Sequence, residues 1–227
     1  MARKQPNFDL LAYLAASSGE HNGYDEPDRI PPLNELSKSY GVSIASLREQ
    51  LEVARALGIV EVRPRTGIRR LEYTFAPAVH ESLSYAIALD RENFEKYSDL
   101  RKHIETAYWH QAVAALTDED RVELDELVEH AWSKLHGDPV QIPHQEHRQL
   151  HLTIYRRLDN PFVVGMLEAY WDAYEQIGLN RFEGLEYLES VWAYHRRMVA
   201  AIVAADYDSG YQALIEHMEL IYRRPGG

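Results

Sequence analysis

Eleven of the 227 residues are histidine, and five of them fall where a metal site could be built. The segment PHQEHRQLH carries His144, His147 and His151. Four positions separate His147 from His151, so on a helix both rings lie on one face, the spacing by which a single helix supplies two ligands to one ion. His195 sits in WAYHRRMVAAIVAAD, read as the middle of the next-to-last helix, and His217 sits in YQALIEHMELIY, read as the last. Three helices of a bundle can bring such residues together. With imidazole donors alone the ion would be Zn²⁺, Ni²⁺, Cu²⁺ or Fe²⁺, because Ca²⁺ and Mg²⁺ require oxygen ligands. The competing reading is that interior histidines merely hydrogen-bond and that HxxxH arises by chance in a histidine-rich chain. A His-ligated metalloenzyme, hydrolase or oxygenase, is a further alternative. It lacks a glutamate beside the ligand pair in an HExxH arrangement. His103, His110 and His130 read as structural or surface residues.

Those histidines need helices to hold them, and the pattern from Pro77 onward supplies them. The apolar spacing predicts helices over residues 77–89, 91–116, 118–135, 143–158, 161–178, 184–205 and 207–224. Thr117 with Asp120 forms a capping box in acidic form, and Asn160-Pro161 is an N-cap followed by proline in the first turn. Residues 136–143, HGDPVQIP, read as a linker. Most of the bundle's tyrosines and tryptophans, among them Tyr85, Tyr108, Trp109, Tyr155, Tyr170, Trp171, Tyr174, Tyr187, Trp192 and Tyr194, read as core.

The first 75 residues are patterned differently. A short helix over residues 7–17 precedes a polar loop through Pro32. LNELSKSYG follows, with Leu33, Leu36 and Tyr40 on one face and Gly41 placed as a left-handed stop. In VSIASLREQLEVARALG, Ser43 is the N-cap, Leu47, Leu51, Ala54 and Leu57 form the inward stripe, and Gly58 ends the helix. Two helices joined by so short a turn make a helix-turn-helix, whose second helix can enter a DNA major groove. A strand at Ile59, Val60 and Val62, a turn over residues 63–67 and a return strand over residues 68–73 complete a wing. Arg63, Arg65, Arg69 and Arg70 cluster there without an intervening acid, the electrostatic footprint of phosphate contact.

Charge follows the same division. The formal net charge is −12. Residues 1–75 carry 10 basic and 10 acidic side chains, so the whole excess lies in the remainder. One part tolerates a polyanion and the other repels it. There is no cysteine, which excludes disulfides, thiolate metal sites and cysteine nucleophiles and is compatible with a reducing compartment. No apolar run approaches the length of a membrane span, and the N-terminus lacks a signal-peptide core, so a soluble cytoplasmic protein without a membrane partner is expected.

IPPLNELSKSYGVSIASLREQLEVARALGIVEVRPRTGIRR resembles the winged helix-turn-helix of GntR-type bacterial transcription regulators. The helical remainder is similar to their FadR-type effector-binding (FCD) domain, through the ordered series His151, Asn160-Pro161, His195, Asp206 and His217. That resemblance implies a mainly α protein, with a winged helix-turn-helix DNA-binding domain over residues 1–75 and an all-helical metal- and effector-binding, dimerising domain over residues 76–227. It implies a regulator rather than an enzyme. The partners it implies are a palindromic double-stranded operator, a second copy of the chain and a small carboxylate metabolite.

By position, the family's three metal-binding histidines correspond to His151, His195 and His217, and His147 stands where the family has an aspartate, so either His147 is the fourth ligand or a three-histidine site is completed by water or effector. The metal implied is a divalent transition ion, zinc first, with nickel or iron as options. Four neutral imidazoles would leave the ion's charge uncompensated and favour an anion at an open position. Arg101, in LRKHIE, occupies a position from which the family can clamp an effector carboxylate, since guanidinium matches carboxylate bidentately. An i,i+4 pair with Glu105 is the other reading. Of three arginines usual in the family's DNA-reading helices, Asn34 and Ile44 replace two and Arg48 keeps the third. Ser43, Ile44, Ser46, Arg48, Arg65 and Gly67 are therefore the candidate DNA-binding set. Ile44 can meet a thymine methyl, Ser46 either base type, and Arg48 a guanine, unless Arg48 is only a surface charge paired with Glu52.

Overall fold

The computed structural model describes residues 8–17, 28–177 and 184–220. The loop expected over residues 18–27, the end of the helix expected to reach Gly178 and the end of the last helix, residues 221–224, lie outside these. The chain forms two compact units, residues 1–81 and 82–227.

The first unit contains α1 (Leu10–Ala16), β1 (Arg29–Ile30), α2 (Leu33–Tyr40), α3 (Ile44–Ala56), β2 (Val60–Arg63) and β3 (Gly67–Arg70). Local chemistry sets the helix ends. Asp9 accepts from the amides of Leu11 and Ala12 at the start of α1. Gly41 ends α2 in the left-handed region at φ 67°. Ser43 Oγ then accepts from the Ser46 amide to open α3. At the other end of α3, Gly58 (φ 67°) and Ile59 donate back to the carbonyls of Arg55 and Ala54, the paired bonds of a Schellman stop. Leu47, Leu51 and Ala54 are buried with Leu10, Leu14, Leu36, Val60 and Ile68. Leu57 is only half-buried, because it caps the helix rather than continuing its stripe.

The sheet order is β1-β3-β2, antiparallel throughout. β1 corrects the expectation of a continuous loop up to Pro32: Arg29 and Ile30 pair with Arg69 and Ile68. A two-residue strand has no period of its own, and only its partner reveals it. β3 ends at Arg70, short of the expected Tyr73, so Leu71 and Tyr73 are exposed. Tyr40, expected on the inward face of α2, is 45% exposed and instead stacks with Phe8 and Tyr13.

The remaining helices are α4 (Ala76–Leu89), α5 (Glu92–Ala114), α6 (Asp118–Leu135), α7 (His144–Tyr155), α8 (Pro161–Ile177), α9 (Leu185–Val203) and α10 (Tyr207–Leu220). The Thr117–Asp120 capping box is present at α6, and Asn160 accepts from the amides of Phe162 and Val163 at α8. α9 packs against α6 and α10, α7 against α5, α6 and α8, and α10 against α5. Trp109, Leu124, Leu150, Trp192, Met198 and Leu214 are among the buried residues between them. At Gly210 of α10 a Cβ would stand 2.7 Å from the Trp109 indole of α5. Trp109, Tyr155, Tyr170, Trp171 and Trp192 are buried as expected, whereas Tyr85 is 67% exposed on α4. No helix among the described residues is long and apolar enough to cross a membrane.

Candidate functional site

Four imidazoles converge inside the helical unit. α7 presents His147 and His151 one turn apart, α9 presents His195 and α10 presents His217. One ring nitrogen from each lies within 4.8 Å of all the others. His151, His195 and His217 are 0–1% exposed, and His147 is partly buried against Trp171 and Trp192. Helical periodicity accounts for the pair on α7. The convergence of α9 and α10 comes from their packing on each other and on the apolar stripes of α5 and α6.

The donor set suits a transition metal. Burial, reinforced by the neighbouring imidazoles and Arg101, holds His147, His195 and His217 well below the usual histidine pKa. Burial lowers His151 as well, against the opposing pull of Glu105. All four are thus neutral near pH 7, the form that offers a lone pair. His151 Nε2 and His195 Nε2 stand 3.2 Å apart, close to the roughly 3.3 Å edge of a tetrahedron of nitrogens about 2.0–2.1 Å from zinc. Among the described residues, His147 Nε2, His195 Nδ1 and both nitrogens of His217 are buried without a hydrogen-bond partner. Buried polar atoms are normally paired. A nitrogen-ligated cation would satisfy several of them at once, so the residues fit the group.

Arg101 and Glu105 on α5 border the cluster. Arg101 Nε donates to Glu105 Oε1 at 2.8 Å and Nη2 to Oε2 at 3.2 Å. The pair is 4% and 0% exposed, and the guanidinium lies 4.4 Å from the Tyr170 ring centroid and 4.9 Å from that of Trp171. Burial alone would raise the Glu105 pKa, but Arg101 and His151 outweigh it and hold the carboxyl at about 2. The i,i+4 pair of Arg101 with Glu105 is present, and the guanidinium also adjoins the histidines. Glu105 also reaches His151 Nδ1 at 3.2 Å. Sequence reasoning missed that contact, since an i,i+4 pair looks the same on a solvated helix face as in a core. Three other histidines pair elsewhere: His103 with Asp99, His110 with Asp208 and His136 with Glu189. Glu146 pairs with Lys134 at 2.6 Å.

In the first unit, Ser43, Ile44 and Arg48 lie exposed along the start of α3, and Ser46 is half-buried. Ile44 is 41% exposed, unusual for an isoleucine that opens a helix. Glu52 pairs with Arg55 at 2.9 Å, so it is Arg55 rather than Arg48 that takes the glutamate. In the wing, Arg65 is exposed at φ 72° and Gly67 at φ 83°. The arginine cluster is partly committed within the unit. Arg63 pairs with Glu61 at 2.9 Å, and Arg70 donates to the Ser17 carbonyl and hydroxyl.

A winged helix joined to an all-helical unit with an inward-facing histidine cluster is the build of a two-part regulator. Residues 97–220 match the FCD domain family. The chain is 30% identical over 105 residues to the HTH-type transcriptional regulator LutR of Bacillus subtilis, a match covering 46% of this chain and 45% of that one. It is 22% identical over 206 residues to the Uxu operon transcriptional regulator of Escherichia coli, covering 88% and 79%. Its fold is similar to that of a Streptococcus agalactiae GntR protein, with a TM-score of 0.64 at 17% identity over 94% and 95% of the two chains. The chain belongs to the FCD-domain family, among the GntR-type transcription regulators of the FadR kind. Both of these relatives are transcriptional regulators.

Proposed function

We propose that this protein is a metabolite-responsive transcription regulator in which residues 1–75 bind DNA and residues 76–227 dimerise and hold a metal with its effector. The observation that carries the proposal is the convergence of His147, His151, His195 and His217, with buried nitrogens that lack partners. These four would ligate one divalent transition metal, zinc first, with nickel or iron as the alternatives. The metal supplies a Lewis-acidic coordination point for an anion. Four neutral donors leave its charge uncompensated, which favours a small carboxylate effector. Arg101 lies beside the cluster but already shares its fork with Glu105, so an effector carboxylate would have to compete for it.

On the DNA side, Ile44 offers apolar contact to thymine methyls, Ser46 and Arg48 offer polar contact to base edges, and Ser43, Arg65 and Gly67 face the backbone. A homodimer reads two half-sites, hence a palindromic operator. The effector acts only through different affinities for the DNA-competent and DNA-incompetent states. Release from DNA is the expected outcome.

The test has two arms. Elemental analysis of untagged, chelator-free protein should find about one zinc, nickel or iron per chain, lost in His151→Ala. Operator sequences selected from random DNA should bind the wild type, and a panel of small carboxylic acids should contain one that changes that affinity only in the metal-loaded protein. No metal in folded protein overturns the site. Metal without any effect of acids on DNA affinity leaves a structural ion.

A further inference from the structure

Four histidines can ligate one ion only if each turns a lone pair, not an N–H, toward the centre. A neutral imidazole carries one proton, and which nitrogen bears it is set by the hydrogen bond at the other. His147, His195 and His217 pack directly on aromatic rings and on one another. His151 is different, because two charged side chains reach it from α5.

Glu105 Oε2 lies 3.2 Å from His151 Nδ1. An ionised carboxylate only accepts, so a carboxylate oxygen this close to Nδ1 favours the proton on that nitrogen and leaves the Nε2 lone pair facing His195 Nε2 at 3.2 Å. Arg101 is the competitor. Its Nη2 stands 3.1 Å from His151 Nδ1 and 3.4 Å from Nε2. An atom nearly equidistant from both nitrogens at that range lies over the ring and not along either in-plane lone pair, so it does not dictate the tautomer. The same guanidinium also donates twice to Glu105. Tyr155, also on α7, donates its hydroxyl to the Glu105 backbone carbonyl at 2.9 Å, tying the two helices together at this level.

We propose that Glu105 is the positioning residue of the histidine centre. It holds His151 as the Nδ1–H tautomer with Nε2 aimed at the other three imidazoles, and the buried ion pair with Arg101 keeps the carboxylate in place and the guanidinium over the ring rather than along the Nδ1 lone pair. This rests on the metal reading above for its consequence, but the tautomer itself is a property of the metal-free protein. Removing the carboxylate does more than delete an acceptor. It frees Arg101, 3.1 Å away, to donate to Nδ1, which moves the proton to Nε2 and blocks the ligand atom.

The experiment uses the full chain with ¹⁵N-labelled histidine. Long-range proton–nitrogen correlation on metal-free protein reads the tautomer of His151, and competition against a chromophoric chelator reads the affinity for Zn²⁺. The wild type should show His151 as Nδ1–H. Glu105→Ala should convert it to Nε2–H and weaken zinc binding 10- to 100-fold, the range for an outer-shell partner of a ligating histidine. The double variant Arg101→Leu/Glu105→Leu removes both charges together and cannot make the wrong donation, so its zinc affinity should lie between the two. This order would not arise from simple loss of packing.

His151 as Nε2–H in the wild type overturns the proposal, and so does unchanged zinc affinity in Glu105→Ala. If Glu105→Ala does not fold, the wild-type tautomer and the double variant decide. A wild type that takes up no zinc while His151 is Nδ1–H refutes the metal reading and leaves the positioning by Glu105 standing.

Discussion

His217 is the residue at which function and stability should separate most clearly. Neither of its ring nitrogens has a hydrogen-bond partner among the described residues, and the side chain is 1% exposed. A buried unsatisfied polar group costs about 1–3 kcal/mol, so the metal-free protein carries His217 at a loss. His217→Leu replaces the ring by an apolar group of similar size and removes both orphaned atoms. Imperfect fit costs about 1 kcal/mol in return. The metal-free variant should therefore be as stable as the wild type or up to about 2 kcal/mol more stable. Zinc should act in the opposite way. At free zinc 100-fold above Kd, binding stabilises the wild type by about 2.7 kcal/mol. At about 2–4 °C per kcal/mol for a unit of this size, Tm rises by roughly 5–11 °C. Losing a direct ligand weakens affinity at least as much as the roughly 100-fold upper range for outer-shell partners. At the same zinc concentration that leaves about 0.4 kcal/mol of stabilisation, near 1 °C. Differential scanning calorimetry with and without zinc measures both quantities. A metal-free His217→Leu that is less stable than the wild type by more than about 2 kcal/mol, together with an undiminished zinc shift, would refute the reasoning, because the ring would then be a packing residue.

Three further outcomes test other parts of the molecule. Arg65→Gly removes the exposed wing charge and suits the positive φ of 72°, so the slope of log K against log salt for operator binding should become shallower by about 0.9 per chain if Arg65 contacts a phosphate; an unchanged slope places it off the DNA. Asp120 accepts from Arg157 and Arg156 and from the Thr117 amide, and its pKa is lowered, chiefly by the Arg157 bond, with burial opposing. A depressed carboxyl contributes stability that is present above its unfolded pKa of about 3.9 and disappears as pH falls through the lower folded value. Asp120→Ala should cost at least the helix cap, about 1 kcal/mol, at pH 7, and the gap to the wild type should close on acid titration below about pH 4. Gly210→Ala should cost about 1 kcal/mol or more of stability and lower Tm although alanine favours helix, because the new methyl meets the buried Trp109 ring; an unchanged or higher Tm would show that α10 can shift away.

Much of the architecture was legible because it is local. Gly41, Ser43 and Gly58 mark α2 and α3 through turn conformation and side-chain capping, which need no distant partner. The capping box at Thr117 and the cap at Asn160 place α6 and α8 for the same reason. The pairing of His147 with His151 on one face follows from helical geometry alone.

What the sequence could not settle depends on neighbours far along the chain. Nothing in residues 29–30 signals a strand until β3 lies beside them. Four arginines in the wing form a cationic run on paper, yet folding turns Arg70 inward to Ser17, 53 positions away, and gives Arg63 to Glu61. Arg101 and Glu105 are an ordinary helical ion pair until burial makes the pair a fixed electrostatic element and brings it to His151, 50 positions on. The sequence by itself therefore determined which residue types, at which helical spacing, were present to ligate a metal. The tertiary structure decided that α9 and α10 would bring His195 and His217 to His147 and His151, and that a buried carboxylate from α5 would face His151. Hydrophobic packing between helices, which has no local code, makes both of those decisions.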